Sequence, residues 1–403
     1  MSRFTRRELL AGGAAAGAIG LAGCNAPINS RSRQPRRAET ETASPVQRTP
    51  TDEEELEDID QSALDPVDVR GAMYFPAQAY NTYQMWGGYD PDVVERDLGY
   101  AEQLGLNAVR TWLSYEFWEE DPEAHEEAVD HFLETAADYD IRPMIGLFEA
   151  VGENPTEENL TNTDPLTATG VYSPSDEVLN SPSMWDGPRE FVTWFMDRYR
   201  DDERLLAIEV MNEPGWWSKK KQFAEAMFEV MVGLRGEVPL TVGSTSMANN
   251  ADYVEWGTDV IQFHYNFPSN RIQYRDLLRQ AITIGAAAPQ PVYLTEWQRI
   301  RRGRGFASEI EGDEWQPNYA SLAPVIHKAG VGNFFWSLMV KPAYVPIQRK
   351  LGVISGVFHE DGSVWSLDDA RSLKAMSGDD SFEAEERPEW PEWAMAAKEA
   401  YRG

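Results

Sequence analysis

The chain has 403 residues, of which 67 are acidic and 36 basic, giving a formal net charge of −31; 42% are hydrophobic, with fourteen tryptophans. That apolar share supports a sizeable core and excludes a disordered chain, and the length suits one large domain or two ordinary ones. Charge this negative repels phosphate backbones, which excludes nucleic acid as a partner. There are eight lysines, three of them at Lys219, Lys220 and Lys221. An acidic, arginine-biased surface is what a halophilic protein carries. At about 1 M salt the Debye length is roughly 3 Å, so self-repulsion is screened.

The first 24 residues read as an address. Thr5-Arg6-Arg7-Glu8-Leu9-Leu10 precedes an Ala/Gly-rich run that ends in Leu21-Ala22-Gly23-Cys24. Paired arginines before a weakly apolar stretch predict a twin-arginine export signal. The stretch is too short for a membrane span, which needs roughly 20 apolar residues. Leu-Ala-Gly-Cys resembles a lipobox, which makes the single cysteine, Cys24, the lipidation site and the membrane a partner through that anchor alone. Residues 25–65 show no apolar periodicity. Five arginines and two glutamates in 25–50 give way to eight acidic residues in 51–65. Such composition does not bury enough surface to fold and predicts a tether. The expected product is exported and held at the cell surface, with its folded domain over 66–403.

From Val69 onward, short apolar runs alternate with amphipathic stretches. The runs are Val69–Phe75, Asn107–Leu113, Arg142–Phe148, Leu206–Met211, Leu240–Gly243, Val260–His264, Val292–Glu296 and Gly332–Trp336. Asp90-Pro91 is an N-cap followed by proline, opening a helix that ends at Gly105. Pro122 opens the next, through Tyr139. Others are expected over 185–200, 219–235, 272–285 and 317–329, with a short one inside 244–257. Eight strands separated by helices predict an α/β fold of (β/α)₈ TIM-barrel type. The alternative, a doubly wound open sheet, normally has a Gly-rich turn after its first strand, and Gly71–Met85 lacks one. Two long intervals, 149–182 and 337–388, follow the third and eighth strands and are expected over the carboxy-terminal face, where barrel active sites sit. Phe358–Trp365 reads as a hairpin with an Asp-Gly turn, and Trp390–Tyr401 as a closing helix.

Two apolar strands end in carboxylates. Leu206–Met211 runs into Asn212-Glu213-Pro214, and Pro291–Thr295 into Glu296-Trp297. An acid at the end of a buried strand needs a partner or a reaction, because an isolated buried charge costs several kcal/mol. In a closed barrel these ends, the fourth and seventh, converge. Paired carboxylates there suit glycoside hydrolysis, one protonating the leaving oxygen while the other attacks the anomeric carbon or activates water.

The Asn-Glu-Pro after strand four and the Glu after strand seven resemble clan A glycoside hydrolases, most nearly the cellulase-like family 5. The resemblance covers residues 69–340. It implies a retaining enzyme on β-linked glucan or mannan, with Glu213 as acid/base, Glu296 as nucleophile, Asn212 on the sugar 2-hydroxyl and carboxyls about 5–5.5 Å apart. Arg110, in Asn107–Trp112, would steady Glu296. His264 would be the active-site histidine at the end of strand six, and Trp336 the aromatic floor at the cleavage point. Two features depart from the family. Phe148-Glu149 stands where many members have a histidine. Tyr265, a substrate-binding candidate as the strand-six tyrosine that touches the nucleophile in the family, directly follows His264, with Asn266 in the later place, so alternation turns Tyr265 away unless a bulge intervenes.

Sugar rings stack on aromatics, and Trp112, Trp216 and Trp217 are further candidates for substrate binding, the last two directly after the proposed acid. The rival reading is a sugar-binding surface lipoprotein without turnover, for which retention of both Glu213 and Glu296 is unexpected. A metal-dependent hydrolase would want clustered histidines, and the five here (125, 131, 264, 327 and 359) are scattered. A phosphate-binding barrel would want a Gly-rich turn near strands seven and eight. No metal or cofactor is implied.

Overall fold

The computed structural model describes residues 66–215, 219–266, 271–288, 290–298, 318–350 and 352–400. The export signal, Cys24, the tether, Trp216 and Trp217 lie outside the described residues. No helix among the described residues is long and apolar enough to cross a membrane.

Eight parallel strands form one sheet: β1 (Arg70–Met73), β2 (Ala108–Trp112), β3 (Arg142–Glu149), β4 (Ala207–Asn212), β5 (Leu240–Thr241), β6 (Ile261–His264), β7 (Val292–Gln298) and β8 (Gly332–Trp336). Their order is β5-β4-β3-β2-β1-β8-β7-β6. The seam between β5 and β6 is closed by single bonds instead of a ladder. Asp259 N donates to Leu240 O at 2.8 Å and His264 N to Ser244 O at 2.9 Å, while Thr241 Oγ1 donates to Val260 O at 3.0 Å. The result is the expected (β/α)₈ barrel, weakest at the fifth interval, where a 3₁₀ turn over Met247–Asn249 leads into the short helix Asn250–Trp256.

The helices start and stop where capping chemistry places them. Asp90 accepts from Asp92 N and Val93 N to open Pro91–Gln103. Asp121 does the same for Pro122–Asp138 through Ala124 N, and Gly330, at a φ of 66°, ends Tyr319–Ala329. Helices over Asp186–Tyr199, Lys219–Gly233 and Arg271–Ala287 complete the expected set. The Asp-Gly hairpin is present, with Phe358 bridged antiparallel to Val364. The closing segment is shorter than its sequence suggests: a 3₁₀ turn over Glu392–Ala394 leads into Met395–Ala400.

Strand alternation divides the core in two. Val109, Ile145, Ile208 and Leu294 face the helices in the large cluster. Met73, Ala108, Trp112, Met144, Ala207, Tyr293 and Phe334 fill the barrel interior. Gly146 in β3 makes room for the Trp112 indole, since a Cβ there would lie 2.1 Å from Trp112 Cδ1. Above this plug the interior turns polar, and there the site begins.

Candidate active site

Arg110, at the centre of β2, is completely buried. An isolated guanidinium would be untenable there, and the barrel surrounds it with acceptors. Its Nη2 donates to Glu209 Oε1 at 2.8 Å and Oε2 at 2.9 Å, its Nε to Glu209 Oε2 at 3.1 Å, and its Nη1 to Glu296 Oε1 at 3.0 Å. Nη2 also reaches Asn212 Oδ1 at 2.8 Å. Glu209 is itself completely buried. It takes further bonds from Gln262 Nε2 at 3.0 Å and Trp112 Nε1 at 3.2 Å.

Glu296 and Glu213 stand at the mouth. Asn212 and Glu213 are adjacent, and in a regular strand they would face opposite ways. Glu213 takes a left-handed backbone with a φ of 46°, uncommon for a side-chain-bearing residue and a frequent mark of functional positions. That turn breaks the alternation and lets both residues reach the opening. His264 Nδ1 lies 2.6 Å from Glu213 Oε1 and 3.6 Å from Glu296 Oε2. One ligand-capable atom from each of Glu213, His264 and Glu296 falls within 4.8 Å of the others. That spacing would also suit a cation, yet Glu296 already has one oxygen on Arg110 and the other, Oε2, on Asn266 Nδ2 at 2.8 Å. The Glu213 side chain is 23% exposed against 7% for Glu296, so Glu213 is the carboxyl that water and a leaving group can reach.

Glu149, at the end of β3, is the residue that occupies the place of the expected histidine. Its carboxylate oxygens accept from Asn212 Nδ2 at 2.8 and 3.1 Å, and Oε1 accepts from Val151 N at 2.8 Å. Burial pushes this carboxyl well above the ordinary range, and the neighbouring Glu296 and Glu213 push the same way against the two hydrogen bonds. Asn212 is thus fixed at both ends, its carbonyl on Arg110 and its amide on Glu149.

The structure therefore brings Glu213, Glu296, Asn212, Arg110, His264 and Trp336 to one opening. Trp336 is half-buried and leans against Tyr344 with ring centroids 5.3 Å apart. Two expectations change. The register of β6 against β7 shifts between Phe263 and His264. Tyr265 nevertheless turns outward and stacks on Tyr274 at 5.0 Å, leaving Asn266 to touch Glu296. Trp112 is 1% exposed; its indole N–H is spent on Glu209 and its face carries the Arg110 guanidinium at 4.7 Å, so it supports the site from below more than it offers a platform. Glu209, Gln262 and Glu149 were not assigned to the site from sequence. The available signal was opposite charge in the middle of two apolar strands, Arg110 in β2 and Glu209 in β4.

No protein-family model matches the chain, and no curated protein matches it by sequence. Among solved structures, the chain is similar to the exo-β-1,4-mannosidase of Opitutaceae bacterium strain TAV5, with a TM-score of 0.55 and 17% identity over 79% of this chain and 62% of that one. It is also similar to the endo-1,4-β-mannanase of Rhizomucor miehei, with a TM-score of 0.50 and 16% identity over 76% and 96% of the two chains. A third is a GH5_18 variant from Bifidobacterium longum in complex with Manβ1-4GlcNAc, with a TM-score of 0.54 and 12% identity over 77% and 78%. At such identities the likeness is one of fold, a (β/α)₈ barrel.

Replacing Arg110 with methionine strands Glu209 and Glu296 without their counter-charge. Urea unfolding should show a loss of about 3–5 kcal/mol. A loss below about 1 kcal/mol would mean that the cation does not carry the site's charge balance.

Proposed function

We propose that the chain is a retaining β-glycoside hydrolase acting on β-linked mannosyl substrates. The observation that carries the mechanism is the reach between Glu213 and Glu296, whose nearest ligand-capable oxygens lie within 4.8 Å. That suits carboxyls about 5–5.5 Å apart, too close for a water between carboxylate and sugar and right for a direct attack. The mannosyl preference rests on the three similar structures, whose descriptions name mannosidase, mannanase and a mannosyl disaccharide.

In the first step Glu213 gives its proton to the glycosidic oxygen as Glu296 forms a bond to the anomeric carbon; the bond from that carbon to the glycosidic oxygen breaks and the leaving sugar departs as an alcohol. Arg110 holds Glu296 Oε1, so Oε2, beside Asn266, is the attacking oxygen. His264 positions the Glu213 carboxyl through its 2.6 Å contact. Asn212, locked between Arg110 and Glu149, presents the sugar's 2-hydroxyl with a fixed partner. In the second step Glu213 takes a proton from water, whose oxygen displaces Glu296 and frees the sugar.

Glu296→Gln and Glu213→Gln should each cut kcat for an aryl β-mannoside by at least about 10³-fold. The two roles separate in azide with the alanine variants: Glu296→Ala should give the α-glycosyl azide and Glu213→Ala the β-anomer. Turnover that survives in Glu296→Ala without azide would remove it from the nucleophile's role.

The acidic composition and the twin-arginine and lipobox-like motifs support an activity outside a salt-adapted cell, tethered at Cys24. Cys24→Ser should move the protein from the membrane fraction to the medium. Retention on the membrane would contradict the lipid anchor.

A further inference from the structure

A chamber opens between the carboxy-terminal ends of β1, β2, β3 and β8, and its lining includes Phe75, Thr82, Glu149, Trp336, Lys341 and Tyr344. It lies across the mouth from Glu213 and His264, which come from β4 and β6. A leaving group departs on the side of the acid, so the chamber faces the other half of the substrate, the sugar that becomes bonded to Glu296.

The far end of the chamber is walled. Lys341–Pro342 pairs antiparallel with Ile354–Ser355, setting a short ribbon across the space above Trp336. Arg349, fully buried, ties this ribbon to the long loop after β3. Its guanidinium donates to Ala343 O at 2.9 Å, Tyr344 O at 3.2 Å, Pro165 O at 2.9 Å and Ala168 O at 2.6 Å. The Tyr344 ring lies flat against Gly170, where a Cβ would come within 2.2 Å of Tyr344 Cδ2. Charge-assisted bonds from one cation to two loops make this a fixed wall and not a flap.

The space left is small, about 30 Å³. A narrow space of this kind admits water-sized groups and suits the hydroxyl edge of a sugar. Its polar groups suit that content. Thr82, Glu149 and Lys341 are 2%, 7% and 7% exposed, and the Thr82 hydroxyl has no hydrogen-bond partner among the described residues. A buried hydroxyl with nothing to bond is costly unless a ligand completes it. Lys341 Nζ is held facing the chamber by the carbonyls of Ala79 and Pro76.

We propose that this chamber is the dead end of the glycone site, taking the outer hydroxyl edge of a single terminal hexose, so that the chain removes sugars one at a time from the non-reducing end. This rests on the hydrolase reading above. In a 1,4-linked chain the next sugar would leave through the 4-hydroxyl, into the space that the ribbon and Tyr344 fill.

Two measurements test it together. In calorimetry with Glu296→Gln, β-1,4-mannotriose should bind at least about tenfold more tightly than the same trisaccharide methylated at its terminal 4-hydroxyl. Adding Thr82→Val should weaken the uncapped ligand by about tenfold without lowering Tm, because that hydroxyl has no protein partner to lose. With wild type, borohydride-reduced mannohexaose should yield monosaccharide as the first product. Equal affinity for capped and uncapped ligands, or internal cuts that release di- and trisaccharides first, would overturn the dead end while leaving hydrolysis standing. Discrimination between the two ligands without turnover by wild type on any glycan would do the reverse.

Discussion

One guanidinium organises the centre of this barrel. Arg110 sits where water does not reach, and four carboxyls stand around it in two layers. Glu209 below and Glu296 above touch it directly. Glu149 is reached through Asn212, and Glu213 through His264 and Glu296. A single cation does not balance four carboxyls, and the structure resolves the excess by position. Burial raises the Glu149 carboxyl well above its ordinary range, and Glu213 opens towards solvent. The remaining two, Glu209 and Glu296, are the ones that Arg110 holds, and the proposed mechanism asks Glu296 to attack as the anion.

The same constraint explains why the interior changes character with height. The lower layers are apolar and close-packed around Met73, Met144 and Phe334. The layer at Arg110 admits Gln262 and the Trp112 indole N–H because Glu209 has lone pairs that must be satisfied, and Asn212 because it accepts from Arg110 and donates to Glu149. Removing any of these donors would leave a buried carboxylate oxygen short of a partner. Rigidity at the mouth is therefore inherited from charge satisfaction beneath it, which is what a site needs if its groups are to be placed before the substrate arrives.

Much of this was legible in the sequence, and for a physical reason. Eight runs of strand length separated by capped helices fix the barrel, since parallel strands need long crossovers. Glu213 and Glu296 stood out because an acid ending an apolar run is costly. Glu149 was legible only as a departure from a family pattern; its role depends on the Asn212 amide, 63 positions away. Tyr265 faces away from the site as strand alternation indicates, even with the register shift between β6 and β7, and Asn266 takes the contact with Glu296. Glu209 was hidden because a strand buried on both faces shows no alternation to interrupt. The dead end at Lys341 and Tyr344 depends on Arg349 joining two loops that are far apart in sequence, and loop contacts of this kind carry no pattern that composition reveals.

The account stands or falls on a covalent bond between Glu296 and the sugar. The direct measurement is intact-protein and peptide mass spectrometry after incubation with a 2-deoxy-2-fluoro-β-mannosyl fluoride, which slows release of the intermediate more than its formation. The account predicts one added fluoroglycosyl unit, on the peptide that contains Glu296, together with loss of activity. An adduct on Glu213 or Glu149, or continued turnover of the mannoside with no adduct at all, would contradict it.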